Sequence, residues 1–394
     1  FVVRFKPQPA RALLDLFVVY STTHFWVAMG WPPQRELLCV FGVLPLLLGT
    51  VSAITVSVAD LHGDYGRAIL ILKHAGLINP DNLNNEEKPV WTGGDTYLVQ
   101  TGDIVDRGND GKQIYELFMR LAKESASVDG KSRVVNLMGN HELMNIQGDL
   151  RYVSPGDSAT YLKPGQNKYD GFSERAKAWA SDGWLGKWVR GFSVVAKRDG
   201  VLFCHAGLPE KFVDRPNGVV RRDEADHQKL IEAINGDFSD AFSSSLVQTD
   251  TDMFFDDSGP LWNRYYSMPD DSDAMCNSLD KVLKTTGTKR MVVGHTIQQD
   301  SGGNFRVRAD CGGRLVLADT GISRAYNGAA SYIIHDGQGG AKVVYPEMND
   351  ESQELPMPMD LESDSKPIML RASKEALSDV ATDDALLRIR QQML

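Results

Sequence analysis

The feature that most constrains this chain is a layout that recurs along it, in which a strand-like apolar run ends and a side chain able to bind a metal or move a proton follows. Five runs share this layout: 54–58 before Asp60 and His62, 97–100 before Asp103 and Asp106, 134–138 before Asn140 and His141, 201–204 before His205, and 291–293 before His295. Ligands of open α/β sheets gather beyond the carboxyl ends of the strands, so we expect these five polar sets to converge in space.

The segments between these runs complete an α/β pattern. Residues 65–75 and 113–123 have apolar side chains at helical spacing, and further strand-like runs follow at 315–318, 331–334 and 341–345. With 394 residues, 42% of them hydrophobic, the chain is long enough for one large or two ordinary domains.

The stretch 101–110 (TGDIVDRGND) places Asp103, Asp106 and Arg107 between two glycines. Neighbouring acids repel each other and lose solvation when buried, so a cation is expected beside them. Alone, this stretch is more typical of a surface turn with a salt bridge. The recurrence of the layout favours a functional site.

If these side chains converge, they would offer the ligands of a transition metal. Two aspartates, three histidines and an asparagine offer oxygen and imidazole donors, which suit Mn, Fe or Zn rather than Ca or a thiolate site. There are more donors than one ion needs, and a carboxylate such as Asp103 can bridge two ions. Paired ions serve phosphate-ester hydrolysis.

Charge and cysteine content exclude other classes. The formal net charge of -10 argues against non-specific nucleic-acid binding, which needs a basic surface. The four cysteines are widely spaced and form no C-x-x-C pair, so neither a zinc ribbon nor a dense disulfide scaffold is indicated.

The ordered motifs DLHGD, GDIVDRG, GNHE, HAG and GHT resemble those of the calcineurin-like metallophosphoesterases. The full GDxVDRG and GNHE signatures are similar to the phosphoprotein phosphatase type, and the stretches 145–157 and 259–267 are similar to the Shewanella-like phosphatase branch. The resemblance covers roughly residues 54–335. It implies an α/β fold in which helices flank a two-sheet β-sandwich, with a hydrophobic N-terminal segment in front.

The resemblance also implies two divalent or trivalent ions (Mn, Fe or Zn) and a set of ligands for each. Asp60, His62 and Asp103 would hold the first ion, and Asp103, Asn140, His205 and His295 the second. A hydroxide between the ions would then attack phosphorus in line.

The remaining site residues have roles that chemistry also supports. His141 would protonate the leaving oxygen as the general acid, and Asp106 would orient its imidazole. Arg107 would bind the substrate phosphate through two parallel donors, and Arg264 is the candidate for a second phosphate contact.

We therefore expect hydrolysis of phosphate monoesters, with a phosphorylated protein or a small phosphate ester as substrate. A phosphodiesterase or a dinucleotide polyphosphate hydrolase on the same fold is the alternative. A metal-bound scaffold without activity is a third hypothesis, which the His141–Asp106 pair opposes because a scaffold needs no acid. Oligomeric state is left open.

The N-terminal segment predicts a secretory route. Residues 1–28 stay unassigned, and 29–53 have the layout of a signal peptide, with Arg35 before an apolar run and small residues up to Ala53. An uncleaved membrane anchor is the alternative, and only then would the chain contact a membrane. We expect the metallophosphoesterase domain at 54–348 and an acidic tail at 349–394.

Overall fold

The structure, a computed structural model, describes residues 2–3, 16–21, 24–29, 54–79, 88–127, 129–214, 227–243 and 253–360. The chain divides into two compact units, Phe1–Val51 and Ser52–Leu394. In the first unit, β1 (Val2–Val3), β2 (Leu16–Ser21) and β3 (His24–Met29) pair antiparallel in that order. The signal peptide or anchor predicted at 29–53 lies outside the described residues except for Met29.

The second unit contains a six-stranded and a five-stranded sheet with helices around them. Its strands are β4 (Thr55–Val58), β5 (Tyr97–Gln100), β6 (Val134–Asn136), β7 (Val195–Arg198), β8 (Val201–Cys204), β9 (Arg290–Val293), β10 (Arg308–Asp310), β11 (Leu315–Leu317), β12 (Tyr332–His335), β13 (Ala341–Tyr345) and β14 (Glu351–Glu354). Its α-helices are α1 (Tyr65–His74), α2 (Gly111–Ser125), α3 (Asn140–Gln147), α4 (Pro155–Ala159), α5 (Asp170–Trp179), α6 (Trp184–Val189), α7 (His227–Ser243) and α8 (Ser272–Thr286).

Both sheets are mixed. The six-stranded sheet has the order β14-β13-β12-β4-β5-β6, in which β4, β5 and β6 run parallel. The five-stranded sheet has the order β10-β11-β9-β8-β7, in which β11, β9 and β8 run parallel. Every residue of β4, β8, β9 and β11 is buried, as expected for parallel strands covered on both faces.

The two sheets pack against each other through their central strands. The ring of His335 on β12 lies 5.3 Å from the ring of Phe203 on β8, edge to face. Outside this sandwich, α2 packs against β6 and α7 packs against β7. The predicted fold class, helices flanking two sheets, is confirmed.

The two predicted helices form close to their predicted bounds. Helix α2 begins two residues before the predicted 113–123 and ends two after it, with Ile114, Leu117, Phe118 and Leu121 buried on one face. Helix α1 matches its prediction to within one residue, and the Asp64 side chain caps it by accepting from the Arg67 backbone N–H at 3.0 Å.

The boundary between domain and tail differs from the prediction. Strand β14 lies inside the predicted tail, where it pairs antiparallel with β13 and extends the six-stranded sheet. All four of its side chains are exposed, so the strand is held by backbone hydrogen bonds and had no burial pattern to reveal it. Beyond it, the Leu355 N–H donates to the Ala341 carbonyl, and the rest of the tail, 361–394, lies outside the described residues.

Two cysteines form a disulfide, Cys276 of α8 with Cys311, while Cys204 is free and buried. Among the described residues, no helix is both long enough and apolar enough to cross a membrane.

Candidate active site

Five segments that follow parallel strands, four of them loops and one the start of α3, meet at one edge of the sandwich, and together they carry nine of the ten predicted site residues. These segments follow β4, β5 and β6 of one sheet and β8 and β9 of the other, while the tenth residue, Arg264, lies in the segment before α8. A cavity of about 300 Å³ opens there. Seven of the ten line it, namely His62, Asp103, Arg107, Asn140, His141, Arg264 and His295, whereas Asp60, Asp106 and His205 lie buried next to them.

The backbone at this edge is unusually strained. His62, Asp103, Asp106, Arg107 and His295 all have positive φ, between 40° and 72°. Such a conformation costs a non-glycine residue on the order of 1–3 kcal/mol and persists only where the surroundings enforce it. Four of these five residues, all except Asp106, line the cavity.

Buried hydrogen bonds enforce this geometry around the loop after β5. The Glu142 carboxylate, which is fully buried, accepts from the backbone N–H of Asp103 at 2.8 Å, of Ile104 at 2.9 Å and of Gly139 at 3.0 Å. The Tyr115 hydroxyl donates to the same carboxylate at 2.7 Å. Glu142 therefore holds two loops together and does not face the cavity.

Two glycines permit close approach of the acidic ligands. A Cβ on Gly139 would overlap the Asp103 carboxylate, and a Cβ on Gly294 would overlap that of Asp60. The Asp60 carboxylate accepts from the His295 N–H, at 3.0 Å for Oδ2. These contacts join the loops of the two sheets.

The three predicted ligand histidines each bond one ring nitrogen to a backbone carbonyl. His62 Nδ1 lies 3.1 Å from Val105 O, His205 Nδ1 2.9 Å from Thr101 O, and His295 Nε2 3.1 Å from Trp262 O. A carbonyl can only accept, so these nitrogens carry the proton. The other nitrogen of each ring is then left with a free lone pair, which is how second-sphere contacts prepare histidine for metal binding.

Two of those lone pairs face a third acceptor. His205 Nε2 lies 2.8 Å and His295 Nδ1 2.9 Å from Asn140 Oδ1. Burial, then the neighbouring His295, lowers the pKa of His205 well below its usual value. Burial, then Arg264, lowers the pKa of His295 to about 3. Neutral rings with lone pairs aimed at an amide oxygen form a site that fits a cation.

The acids of the site point to the same conclusion. Burial, then Asp319 and Asp103, raises the pKa of Asp60 well above its usual value. Burial raises the pKa of Asp103 to about 8, against the opposing His141 charge. Crowded buried carboxylates ionise readily only beside strong positive charge, which divalent cations supply.

Among the described residues, the donor atoms fall into two clusters that share Asp103. His62, Asp103 and His141 form one, and Asp103, His205 and His295 form the other, with the atoms of each cluster within 4.8 Å of one another. Asp60, predicted for the first ion, has its carboxylate 4.0 Å from His62 Nε2. The shared carboxylate is the one predicted from sequence to bridge two ions.

His141 has the geometry of an acid held by a carboxylate. Its Nδ1 donates to Asp106 Oδ2 at 2.7 Å, while Nε2 points into the cavity, 3.9 Å from Asp103 Oδ2. Burial lowers the pKa of His141, but the Asp103 and Asp106 carboxylates outweigh burial, so the net pKa is raised.

The two predicted phosphate-binding arginines both line the cavity, where each contacts different neighbours. The Arg107 guanidinium stacks 3.8 Å above the ring of Tyr152, and Tyr326 lies 5.7 Å away. Arg264 donates to the Thr296 hydroxyl at 2.6 Å. Both side chains are exposed, so their donors are accessible to an anion.

Comparison with known proteins agrees with this geometry. The calcineurin-like phosphoesterase family matches residues 55–299. An uncharacterized protein of Schizosaccharomyces pombe is 33% identical over 295 residues, which cover 73% of this chain and 80% of that protein. Shewanella-like protein phosphatase 2 of Arabidopsis thaliana is 27% identical over 354 residues, 81% of this chain and 82% of that one.

The fold has a solved counterpart as well. The cold-active protein tyrosine phosphatase of a psychrophilic Shewanella species superimposes with a TM-score of 0.56 at 21% identity, covering 90% of this chain and 98% of that one.

This chain belongs to the calcineurin-like phosphoesterase family. The predicted family is thereby confirmed, together with the prediction of a metallophosphatase enzyme. The family uses divalent metals, and the His and Asp clusters above contain this phosphoesterase's candidate ligands. His141 is set apart from them as the candidate acid, because its Nδ1 is bonded to Asp106.

Several residues at the phosphoesterase site were not assigned a role from sequence. Tyr152, Tyr326 and Trp262 form aromatic walls of the cavity, and Asp319 faces it from the end of β11. Burial raises the pKa of Asp319 to about 7. Asp319 could have been predicted as a site residue from the sequence, because it follows an apolar run as the other acids do. The aromatic residues carry no such local signal.

Proposed function

We propose that this phosphoesterase hydrolyses phosphate monoesters, with phosphoproteins as substrates. The observation that carries the proposal is the meeting of His141, held by Asp106, with two metal-ligand clusters and two arginines around one cavity. A monoester dianion suits this concentration of positive charge better than a singly charged diester.

Two divalent ions, when bound by the His and Asp clusters, would supply charge against the transition state and an activated water. The side chains would do the rest. Arg107, kept flat by stacking on Tyr152, donates to two phosphate oxygens, and Arg264 provides a second contact from the segment before α8. These contacts align the ester with the attacking water.

Protonation of the leaving group falls to His141. As the phosphorus–oxygen bond of the ester breaks, Nε2 gives its proton to the departing oxygen. The negative charge of Asp106 stabilises the protonated ring before transfer and fixes its orientation. Removing either residue would leave phosphate binding in place but would leave the alkoxide without a proton.

A protein substrate is supported by the names of the relatives. The Arabidopsis protein is called a protein phosphatase, and the Shewanella structure a protein tyrosine phosphatase. Hydrolysis rates on a panel of phosphopeptides would determine whether phosphoserine, phosphothreonine or phosphotyrosine is preferred.

The experiment compares p-nitrophenyl phosphate, its bis ester, a dinucleotide polyphosphate and phosphopeptides, each with Mn²⁺ and with a chelator. We expect hydrolysis of the monoester and of phosphopeptides with metal, none with chelator, and slow reaction of the bis ester. Faster turnover of the bis ester or of the dinucleotide would replace the proposal by a phosphodiesterase or dinucleotide polyphosphate hydrolase. Metal binding without turnover of any substrate would support the third hypothesis, a metal-bound scaffold without activity.

We also propose that the chain follows the secretory route that its 29–53 segment predicts. The Cys276–Cys311 disulfide supports this, because disulfides form and persist in oxidising compartments. N-terminal sequencing of the mature protein is the test. A start directly after Ala53 is expected, and a mature chain that retains earlier residues would contradict cleavage there.

A further inference from the structure

A chain of buried hydrogen bonds leads from the general acid to an arginine on a different helix. Asp106 binds His141 and also accepts from Asn145 Nδ2, at 3.0 Å and 3.1 Å to its two oxygens. The Asn145 Oδ1 accepts from Arg175 Nη2 at 2.7 Å, and Arg175 Nε donates to Asp157 at 2.7 Å. Arg175 belongs to α5, whereas His141 and Asn145 lie on α3.

The members of this chain are deeply buried. Arg175 is 2% exposed and Asp157 is not exposed at all. A buried charge pair is expensive to desolvate, and replacement by apolar residues is often neutral or stabilising. Packing of α5 alone therefore does not account for a guanidinium here, although its Cζ also lies 5.2 Å from the ring of Trp179.

The contact with Asn145 decides which way its amide faces. With Oδ1 bound by Arg175, the Nδ2 group must face Asp106, where it donates to both oxygens and to the His141 carbonyl. Rotated by half a turn, the amide would place its oxygen against the Asp106 carboxylate, two acceptors without a proton between them. Arg175 prevents this rotation and so keeps both Asp106 oxygens in place.

We propose that Arg175 is a positioning residue for the general acid, acting through Asn145 and Asp106 on His141. The guanidinium also lies 4.0 Å from Asp106 Oδ1, so its positive charge attracts that carboxylate directly and helps to hold it in place. The inference rests on the proposed monoester hydrolysis, because it concerns the residue that protonates the leaving group.

The test is the dependence of the rate on the leaving group. p-Nitrophenolate departs readily without a proton, whereas the oxygen of phenyl phosphate or an alkyl phosphate needs one. For Arg175→Met we expect kcat to fall about tenfold or more on phenyl phosphate and about twofold or less on p-nitrophenyl phosphate, since a displaced acid loses part of its contribution. KM and metal content should stay at the wild-type values.

Two further variants separate the positioning of His141 from poor folding and from helix packing. Arg175→Met combined with Asp157→Asn removes both charges, so that no buried carboxylate is left unpaired if the single variant folds poorly. Arg190→Met is the matched control. Arg190 lies in the same helical region, but among the described contacts its side chain donates only to the carbonyls of Trp179 and Gly186. It should leave the ratio of the two rates unchanged.

A double-mutant cycle completes the design. In a His141→Ala background, Arg175→Met should have no further effect, because the acid it positions is gone. Equal losses on both substrates, no loss on either, or a full additional loss without His141 would each overturn the proposal. If wild-type protein cleaves no monoester, the proposed function itself fails, which is a different result.

Discussion

The two sheets both deliver side chains from the ends of three parallel strands, yet their loops carry different chemistry. The segments after strands of the six-stranded sheet hold three aspartates, one asparagine, two histidines and one arginine, namely Asp60, Asp103, Asp106, Asn140, His62, His141 and Arg107. Loops of the five-stranded sheet supply His205, His295 and Asp319. His205 and His295 are tied to backbone carbonyls, and burial holds their pKa values low. On the proposed mechanism, the loops of the six-stranded sheet would combine metal binding with proton transfer, while the histidines of the five-stranded sheet would only bind metal.

This difference predicts two kinds of defect. Changes in the six-stranded sheet should include losses of turnover that added metal does not restore. Changes to the histidines of the five-stranded sheet should weaken metal binding and be restored by excess metal. Five predictions test or refine the distinction, beginning with the residue common to both clusters.

Asp103→Asn should have the largest effect. Asp103 belongs to both donor clusters, and removing its charge should weaken the binding of both ions at once. The amide keeps the size of the side chain and an oxygen for the His141 N–H, so folding should be preserved. We expect a loss of turnover beyond the roughly 10²–10⁴-fold that an acid contributes, together with a lower metal content by elemental analysis. Asp95→Asn, at an exposed acid, is the control; retained metal and rate in Asp103→Asn would exclude a bridging role.

His141→Ala should come next and should separate chemistry from binding. Without Nε2 the leaving oxygen has no proton donor, so we expect kcat to fall roughly 10²–10⁴-fold while the metal content stays at its wild-type value. Single-turnover and metal-content measurements on the same sample provide the check. Unchanged turnover would remove His141 from the acid role.

His295→Ala tests the five-stranded sheet. We expect metal affinity to fall by roughly 10–100-fold or more, since even outer contacts of a metal ligand contribute that much. Because Asp106, His141 and Arg107 are untouched, kcat should recover as Mn²⁺ is raised. A rate that stays low at saturating metal would show that this sheet also takes part in the chemistry.

The contrast between the sheets was partly visible in the sequence. A ligand that follows directly on an apolar run is a local signal, and all such ligands predicted here lie at the site. Asp319 follows β11 in the same way but was assigned no role. The Asn145–Arg175 contact joins two helices 30 positions apart, and no spacing rule relates them.

Other misses have different physical causes. Helix α8 has sequence signals at both ends, because the Asp271 side chain caps its first turn and Gly287 ends it in the left-handed conformation. It was not predicted, because it lies within a stretch of mixed composition. Strand β14 has no apolar face, so only its pairing with β13 defines it. The Cys276–Cys311 pairing depends on how α8 packs, which cysteine spacing does not reveal.

The two arginines should differ in a smaller way. Arg107→Ala removes a guanidinium stacked on Tyr152 in a loop of the six-stranded sheet, and charged hydrogen bonds of about 1.5–3 kcal/mol predict a 10–100-fold loss in kcat/KM. Arg264→Ala should lose less, because that guanidinium already donates to Thr296. Steady-state kinetics and inhibition by free phosphate measure both. A larger effect at Arg264 would assign the main phosphate contact to Arg264.

The smallest predicted effect lies between the sheets, at His335. Its Nε2 bonds to the Ser57 hydroxyl, and its ring packs on Phe203. Burial, then Arg290, lowers the pKa of His335 to about 3, against 6.5 in the unfolded chain. Above pH 6.5 both states are neutral. As the pH falls below 6.5, only the unfolded chain binds the proton, so the folded state loses stability.

From pH 7.5 to pH 5 this loss should reach about 2 kcal/mol in the free energy of unfolding. Denaturant unfolding at several pH values measures it. His335→Leu should flatten the wild-type dependence by that amount, and the difference between the two curves isolates this residue from every other titrating group. Ser57→Ala is the matched control, since it removes the hydrogen bond but leaves the imidazole buried and should keep the acid sensitivity. If His335→Leu kept the full wild-type dependence of unfolding free energy on pH, protonation of His335 between the sheets would not be the cause of the acid sensitivity.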